Sequence, residues 1–246
     1  PDPAKTVPGG GLVAGIGYVS GVRCMVAASD SGIDAGAIQP MGLEKILRVL
    51  AIARENRLPF LHLVESAGAN LLKYRVEDFI HGGGLFCGMT RLSAAGIPVV
   101  TVVHGSSTAG GAYMPGMSDY VVMVRGRAKA FLAGTALLKA ATGEDASEEE
   151  LGGAEMHATV SGLAEYLAED DADGIRLARE VLAKLDWNRD LRREQKSVAA
   201  PRRDIEELLG LVPLDTKKPY DVREVIARLV DGSDFLDFKP GYCVST

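Results

Sequence analysis

Short apolar runs of strand character alternate along this chain with longer segments whose apolar residues recur at helical spacing. Near the beginning, two such runs flank Ser20-Gly21 and predict a β-hairpin. The predicted strands are residues 12–19, 22–28, 60–64, 97–103, 120–124 and 128–132. The predicted helices are residues 42–54, 76–94, 135–141, 147–151 and 171–185. This alternation favours an α/β fold with parallel strands.

Two of the predicted strands end in glycine-rich turns. Residues 60–64 lead into Glu65–Asn70, and residues 97–103 lead into Gly105–Ala112. Small residues let a substrate approach main-chain N–H groups, and a helix that starts just after the turn adds the positive end of its dipole. Two such turns can give one N–H each to a single carbonyl oxygen. We therefore expect a backbone-built oxyanion site, although strand-glycine-helix junctions also occur as purely structural units.

Composition narrows the class of protein. A chain of 246 residues with 47% hydrophobic and 24% charged residues can bury a sizeable core in one large domain, alone or with an appendage. Its formal net charge of −6 disfavours a nucleic-acid partner. The absence of any membrane-length apolar stretch or signal-peptide pattern predicts no membrane association. Three scattered cysteines suggest neither disulfides nor a metal site, and so favour a reducing cytoplasm.

The last quarter of the chain breaks the alternation of strands and helices. Residues 187–220 are polar and rich in lysine and arginine, which predicts a surface linker with one short helix near residues 205–209. Asp221 is placed to cap a helix over residues 222–229. Residues 235–238 and 241–246 are typical of the first strands of a new sheet. We thus expect a domain over 1–186, a linker over 187–220 and the start of a second domain over 221–246.

Several motifs of the chain carry a family resemblance. Residues 66–70, SAGAN, and residues 105–119, GSSTAGGAYMPGMSD, resemble the carboxyltransferase (beta) subunit of biotin-dependent acyl-CoA carboxylases, most of all methylcrotonyl-CoA carboxylase. The resemblance extends over residues 9–11, 53–59, 131–134, 138–144, 151–154, 168–171 and 220–226, so it spans nearly the whole chain. It implies a ClpP/crotonase-like spiral of ββα units. This chain resembles the first of two such domains, a linker and the start of the second.

The resemblance also implies an activity. Carboxylate would pass from carboxybiotin, on a separate carrier domain, to an acyl-CoA substrate that is methylcrotonyl-CoA-like or otherwise short or branched. The expected partners are the biotin carboxylase/carrier (alpha) subunit and further copies of the chain, in a homohexamer of fatty acid or leucine metabolism. The expected location is the cytoplasm, or the mitochondrial matrix in a eukaryote. Because the biotin-side residues are expected beyond Thr246, residues 1–246 alone should bind CoA but should not carboxylate an acyl-CoA.

Carried over by position, the family's oxyanion hole falls on the backbone N–H groups of the same two turns. The catalytic pairs are Ala67-Gly68 and Ala109-Gly110. Substrate contacts are expected from Ser66, Ala69, Asn70, Ser107, Thr108, Gly111 and Tyr113. Asn70 stands where acetyl- and propionyl-type relatives carry arginine, which favours a branched or unsaturated acyl group. Many members have two glycines at the first pair, but an alanine there keeps its N–H.

Three alternatives compete with this interpretation. A crotonase-fold enoyl-CoA hydratase or isomerase needs positioned carboxylates, for which Glu65 and Glu77 are available. A Clp-like serine protease would use a hydroxyl among residues 106–108, although no histidine and acid stand in a recognisable relation to it. A non-catalytic scaffold in a carboxylase complex is the third. Of the histidines, His62 and His104 alternate with apolar residues inside strands, which favours structural roles.

Overall fold

A computed structural model describes residues 8–70, 72–185, 187 and 198–243. The strands are β1 (Leu12–Val19), β2 (Val22–Ser29), β3 (Phe60–Ser66), β4 (Val99–Thr108), β5 (Tyr120–Val124), β6 (Lys129–Phe131) and β7 (Tyr166–Ala168). The α-helices are α1 (Pro40–Glu55), α2 (Val76–Ala94), α3 (Tyr113–Gly116), α4 (Thr135–Thr142), α5 (Glu148–Gly152), α6 (Ala154–Met156), α7 (Asp171–Lys184), α8 (Leu208–Leu211) and α9 (Val222–Ile226). Every strand and helix predicted through residue 185 is present in the predicted order, and the structure adds α3, α6 and β7, which were not predicted.

The strands in these ranges form one sheet in the order β1-β2-β3-β4-β5-β7, with β6 paired to β4. The hairpin of β1 and β2 is antiparallel, and every other pairing is parallel. Parallel pairing brings the carboxyl ends of β3 and β4 to one edge of the sheet, where both glycine-rich turns begin. The predicted α/β fold with parallel strands is therefore confirmed.

The core that supports these strand ends lies between the sheet and helices α1 and α2. Helix α1 starts with Pro40 in its first turn, where a missing N–H costs nothing, and it buries Leu43, Ile46 and Leu50 against the sheet. Phe60 at the start of β3 is completely buried in the same cluster. Each such side chain contributes about 1.5–3 kcal/mol on burial, so the strand ends rest on a rigid base.

The structure departs from the sequence pattern around the two turns. Strand β4 continues to Thr108 and so includes half of the predicted second turn, because its last three residues pair with β6. Only the second turn leads directly into helical structure, a 3-10 segment at Ala109–Ala112. After the first turn, helix α2 begins only at Val76. The expected helix dipole is therefore wrong for the first turn. Strand β7 was missed because its three residues carry too little pattern.

By internal contacts the chain divides into two compact units, Pro1–Asn188 with Phe238–Thr246, and Arg189–Asp237. Residues 235–238 form no strand, so the prediction of a new sheet starting there is wrong. The Phe238 ring instead meets Tyr120 edge-on, with 6.3 Å between ring centroids, within the first unit. Residues 241–243 form a turn and bend, and 244–246 lie outside the described residues. The linker and second-domain boundaries stay predictions.

One buried histidine gives the core a pH dependence. His62 on β3 lies against Phe60, with 5.2 Å between ring centroids, and neither ring nitrogen has a hydrogen-bond partner among the described residues. Burial, together with the nearby His104, lowers its pKa from 6.5 to about 4. The neutral ring is therefore the form that the folded core accepts.

We expect the free energy of unfolding to decrease by about 3 kcal/mol, through His62 alone, as the pH falls from about 6.5 to about 4. Across that window the unfolded chain binds a proton at this residue that the folded chain excludes. Denaturant titrations of the unsubstituted protein and of His62→Leu at several pH values measure this. The leucine variant should lose less stability on acidification, and parallel losses in the two proteins would contradict the assignment.

Candidate active site

The two glycine-rich turns touch each other through their main chains. A Cβ added to Gly68 would lie 3.1 Å from the Gly110 nitrogen and 3.2 Å from the Thr108 carbonyl oxygen. One added to Gly110 would lie 3.9 Å from the Gly68 Cα. Ser66 and Ser107 stand opposite each other in the parallel register just before the turns. The structure thus brings together the two backbone pairs that the sequence singled out.

Backbone conformation explains how this contact is made. Gly68 has φ +79°, a left-handed conformation that favours glycine. Ala109 also lies in the left-handed region, with φ +49°, which is uncommon for a residue with a Cβ and costs about 1 kcal/mol or more. Ala109 turns the chain from β4 into the 3-10 segment. Gly110 is then in the first turn of that segment, where N–H groups lack an intrahelical acceptor.

The Ala67 and Gly68 N–H groups of the first turn differ in the hydrogen bonds that they already make. The Ala67 N–H donates to the Ala35 carbonyl oxygen at 3.2 Å, so that donor is tied to a neighbouring loop. The Gly68 N–H donates to the Ser66 hydroxyl two residues away, at 3.2 Å. A negatively charged oxygen is a stronger acceptor than this neutral hydroxyl. Of the N–H groups in the two turns, those of Gly68 and Gly110 belong to the residues at which the turns meet.

A loop over residues 34–39 clamps the first turn. Asp34 accepts hydrogen bonds from Gln39 at 2.7 Å, Lys73 at 2.8 Å and Asn70 at 3.0 Å. The bonds from Lys73 and Gln39 lower the pKa of the Asp34 carboxyl. Gly36 runs so close to β3 that an added Cβ would overlap the Glu65 carbonyl oxygen. Asn70 thus has its amide on Asp34, an anchoring contact that sequence reasoning missed because the two residues lie far apart along the chain.

The remaining predicted site residues surround the contact between the turns. Gly111 packs on Ser66, since an added Cβ would lie 2.5 Å from the Ser66 carbonyl oxygen. Ala69 bridges to Ile38 in the clamping loop, and Thr108 pairs with Phe131 of β6. Tyr113 is 44% exposed, with its ring centroid 5.0 Å from that of Phe86. It therefore lies partly at the surface rather than in the core.

The carboxylates and hydroxyls near the turns do not match the rival chemistries. Glu65 lies along Gly105, with its carboxylate oxygen 3.7 Å from the His104 Nδ1. Glu77 is exposed in the first turn of α2. Ser107 is completely buried, and its hydroxyl makes no hydrogen bond within the described part of the chain. A serine nucleophile needs a base within hydrogen-bond reach, and Ser107 lacks one here.

We expect Ser107→Ala to leave turnover within about tenfold of the unsubstituted protein, because a site made of backbone N–H groups needs no hydroxyl. Stability should be equal or greater, since the change removes a buried polar group without a partner. Steady-state kinetics of the complete subunit and denaturant unfolding measure the two effects. A loss of activity near that of a catalytic-serine knockout would restore the hydrolase alternative.

Comparison with known proteins identifies the family to which this site belongs. The model of the carboxyl transferase domain matches residues 2–246. The chain belongs to this family. It is 55% identical over 234 residues to a probable biotin-dependent acyl-coenzyme A carboxylase beta2 subunit of Mycobacterium tuberculosis, covering 95% of this chain and 44% of that protein. It is 43% identical to a probable mitochondrial methylcrotonoyl-CoA carboxylase beta chain of Drosophila melanogaster, covering 97% and 44%. The chain thus spans less than half the length of these relatives.

Solved structures of this family share the fold. The beta subunit of P. aeruginosa geranyl-CoA carboxylase is 61% identical, with a TM-score of 0.69, covering 94% of this chain and 43% of that one. The transcarboxylase 12S hexamer with hydrolysed methylmalonyl-coenzyme A bound is 32% identical, with a TM-score of 0.84, covering 98% and 46%. The fold is therefore the crotonase-like α/β fold of the carboxyltransferases, as the resemblance implied.

The described part of the carboxyl transferase domain lacks two features of other protein classes. None of its helices combines the length and the hydropathy of a membrane-spanning segment. The same part of the chain holds no group of three or more histidine, cysteine or acidic side chains arranged to bind a metal ion.

Proposed function

We propose that the protein is the carboxyltransferase (beta) subunit of a biotin-dependent acyl-CoA carboxylase, and that this chain supplies its CoA-thioester side. The observation that carries the proposal is the main-chain contact between Gly68 and Gly110 at the ends of β3 and β4. The names of the relatives support it, because they are beta subunits of such carboxylases at 43–55% identity.

The residues of this chain fit the half of the reaction in which the acyl-CoA loses a proton and forms an enolate. The Gly68 and Gly110 N–H groups would bind the thioester carbonyl oxygen and stabilise the negative charge that grows there as the substrate loses a proton. Each donor is worth about 3 kcal/mol of the barrier when water is excluded. Carboxybiotin, on its carrier domain, supplies the carboxyl group and a base. Neutral backbone donors suit this chemistry, because they stabilise the enolate without competing for the proton.

The proposed acceptor is a branched, unsaturated acyl-CoA. Relatives named for methylcrotonoyl-CoA are 42–44% identical to this chain, and the one named for geranyl-CoA is 61% identical. The relative named for methylmalonyl-CoA carboxyltransfer is only 33% identical. We further propose a hexamer that works with a biotin carboxylase/carrier (alpha) subunit in a reducing compartment, the cytoplasm or the mitochondrial matrix. The hexameric 12S relative supports the oligomer.

The complete subunit, supplied with carboxybiotin on its carrier and with single acyl-CoAs, tests the proposal. Transfer of labelled carboxylate to methylcrotonyl-CoA or geranyl-CoA should exceed transfer to propionyl-CoA by about tenfold or more in kcat/KM, a difference of the size that one pocket contact provides. Hydration of the enoyl group without biotin would favour the crotonase-hydratase alternative. Binding of the alpha subunit with no transfer to any acyl-CoA would favour the scaffold alternative.

A further inference from the structure

An apolar groove lies between β6 and α4 in the first compact unit. Its volume is about 600 Å³, and its walls include Ala130, Phe131, Leu132, Leu137, Leu138 and Ala141. Leu132 and Leu137 both line the groove and are each 60% exposed, so the groove presents a contiguous exposed apolar surface. A groove of this size and lining is suited to an apolar ligand of drug-like size.

The groove opens beside the second glycine-rich turn. In the parallel register of β4 and β6, Ala130 stands opposite Ser107 and Phe131 stands opposite Thr108. Paired strands lie about 4.8 Å apart, and Thr108 directly precedes Ala109-Gly110. A ligand whose reactive end is held at Gly110 can therefore extend into the groove.

The wall that faces the turn is fixed by close packing. A Cβ added to Gly152 would lie 3.0 Å from the Phe131 ring, and one added to Gly134 would lie 3.7 Å from it. These two glycines hold the ring between them. The lysines next to the groove are ion-paired, Lys129 with Glu148 at 2.5 Å and Lys139 with Asp145 at 2.7 Å, and neither lysine lines the groove. The groove thus offers a fixed apolar wall with charges only at its edge.

We propose that this groove binds the apolar tail of the acyl group, the part farthest from the thioester. The inference rests on the proposed function and adds a position for the tail and a preference for length. Each buried methylene tightens binding by about fourfold, so a tail of several carbons beyond the reacting enoyl unit gains substantial affinity. A short branched acyl group would end before the groove and gain little.

Two neighbouring alanines of α4 allow a matched test. Ala141 lines the groove and Ala140 does not, and both are exposed. In the complete subunit, Ala141→Trp should weaken binding of geranyl-CoA by about tenfold or more and change binding of methylcrotonyl-CoA by less than about threefold. Ala140→Trp should change neither. Calorimetric titration of the two acyl-CoAs into each protein measures these dissociation constants.

Three results would overturn the groove assignment. Geranyl-CoA binding could be unaffected by Ala141→Trp, both acyl-CoAs could weaken equally, or the variant could alter the oligomer without an effect that depends on tail length. The last result would identify the groove as a contact between chains. Failure of the proposed function is distinguishable, because the unsubstituted subunit would then transfer no labelled carboxylate to either acyl-CoA.

Discussion

Replacing Gly110 with proline should lower the turnover of the complete subunit by about a hundredfold or more. The change removes one N–H donor; the fixed φ of proline suits the first turn of a helical segment, although proline also disfavours the left-handed Ala109 before it. Because the lost hydrogen bond strengthens only as negative charge develops, the dissociation constant for CoA should change by less than about tenfold. Steady-state kinetics and calorimetric titration separate the two effects.

Gly110→Ala is the matched control at the same position. It keeps the N–H, and its added Cβ would lie at an ordinary contact distance, 3.9 Å, from the Gly68 Cα. Turnover of the alanine variant should therefore stay within about tenfold of the unsubstituted subunit. Normal turnover in a folded proline variant would show that the second turn does not supply the donor.

Gly68→Ala should cut turnover by a similar factor and also lower stability. Its φ of +79° strains any residue with a Cβ by about 1–2 kcal/mol, and the new methyl group would press on the Gly110 nitrogen at 3.1 Å. To relieve the contact between the new methyl group and the Gly110 nitrogen, one turn must move away from the other. Kinetics of the complete subunit and denaturant unfolding measure the two losses.

Gly83→Ala is the comparison for Gly68→Ala. Gly83 lies within α2 with nothing inside 4 Å of an added Cβ, so alanine there should raise helix stability by up to about 1 kcal/mol and leave turnover unchanged. Gly68→Ala with full activity and unchanged unfolding would mean that the turns can separate without loss. The close contact of the two turns would then have no catalytic role.

Local patterns along the chain were sufficient to predict the strands and turns that form the site. The apolar run at 60–64, followed at once by small residues, predicts both a buried strand and an open backbone after it, and β3 confirms the strand. Helix α2 begins and ends at its predicted residues, because a long segment with helical spacing is bounded by Gly96 and Pro98.

Long-range features could not be read from local patterns. The clamp of Asp34 on Asn70 and Lys73 joins residues more than thirty positions apart, and neither segment carries a periodic signal. Pairing with β6 extends β4 through Ser106, Ser107 and Thr108, residues that by themselves favour a turn. In both cases tertiary contacts override local preference.

The predicted strand at residues 235–238 is an element that local pattern predicts and the structure does not form. Its apolar residues fit a strand, but Phe238 packs on the Tyr120 ring of β5 and the segment makes no ladder. A short apolar run is consistent with a strand or with simple packing, and tertiary contacts decide between them.

The central claim is that the N–H groups of Gly68 and Gly110 bind one thioester carbonyl oxygen. Infrared difference spectra of acyl-CoA carrying ¹³C at that carbonyl test it directly, because hydrogen bonding weakens the C=O bond. Bound to the complete subunit, the labelled band should lie at lower frequency than in water, and in Gly110→Pro it should return part of the way, because one of the two donors is lost while binding is retained. A band at the same frequency in the two proteins, or one unshifted from water in the unsubstituted subunit, would contradict the account.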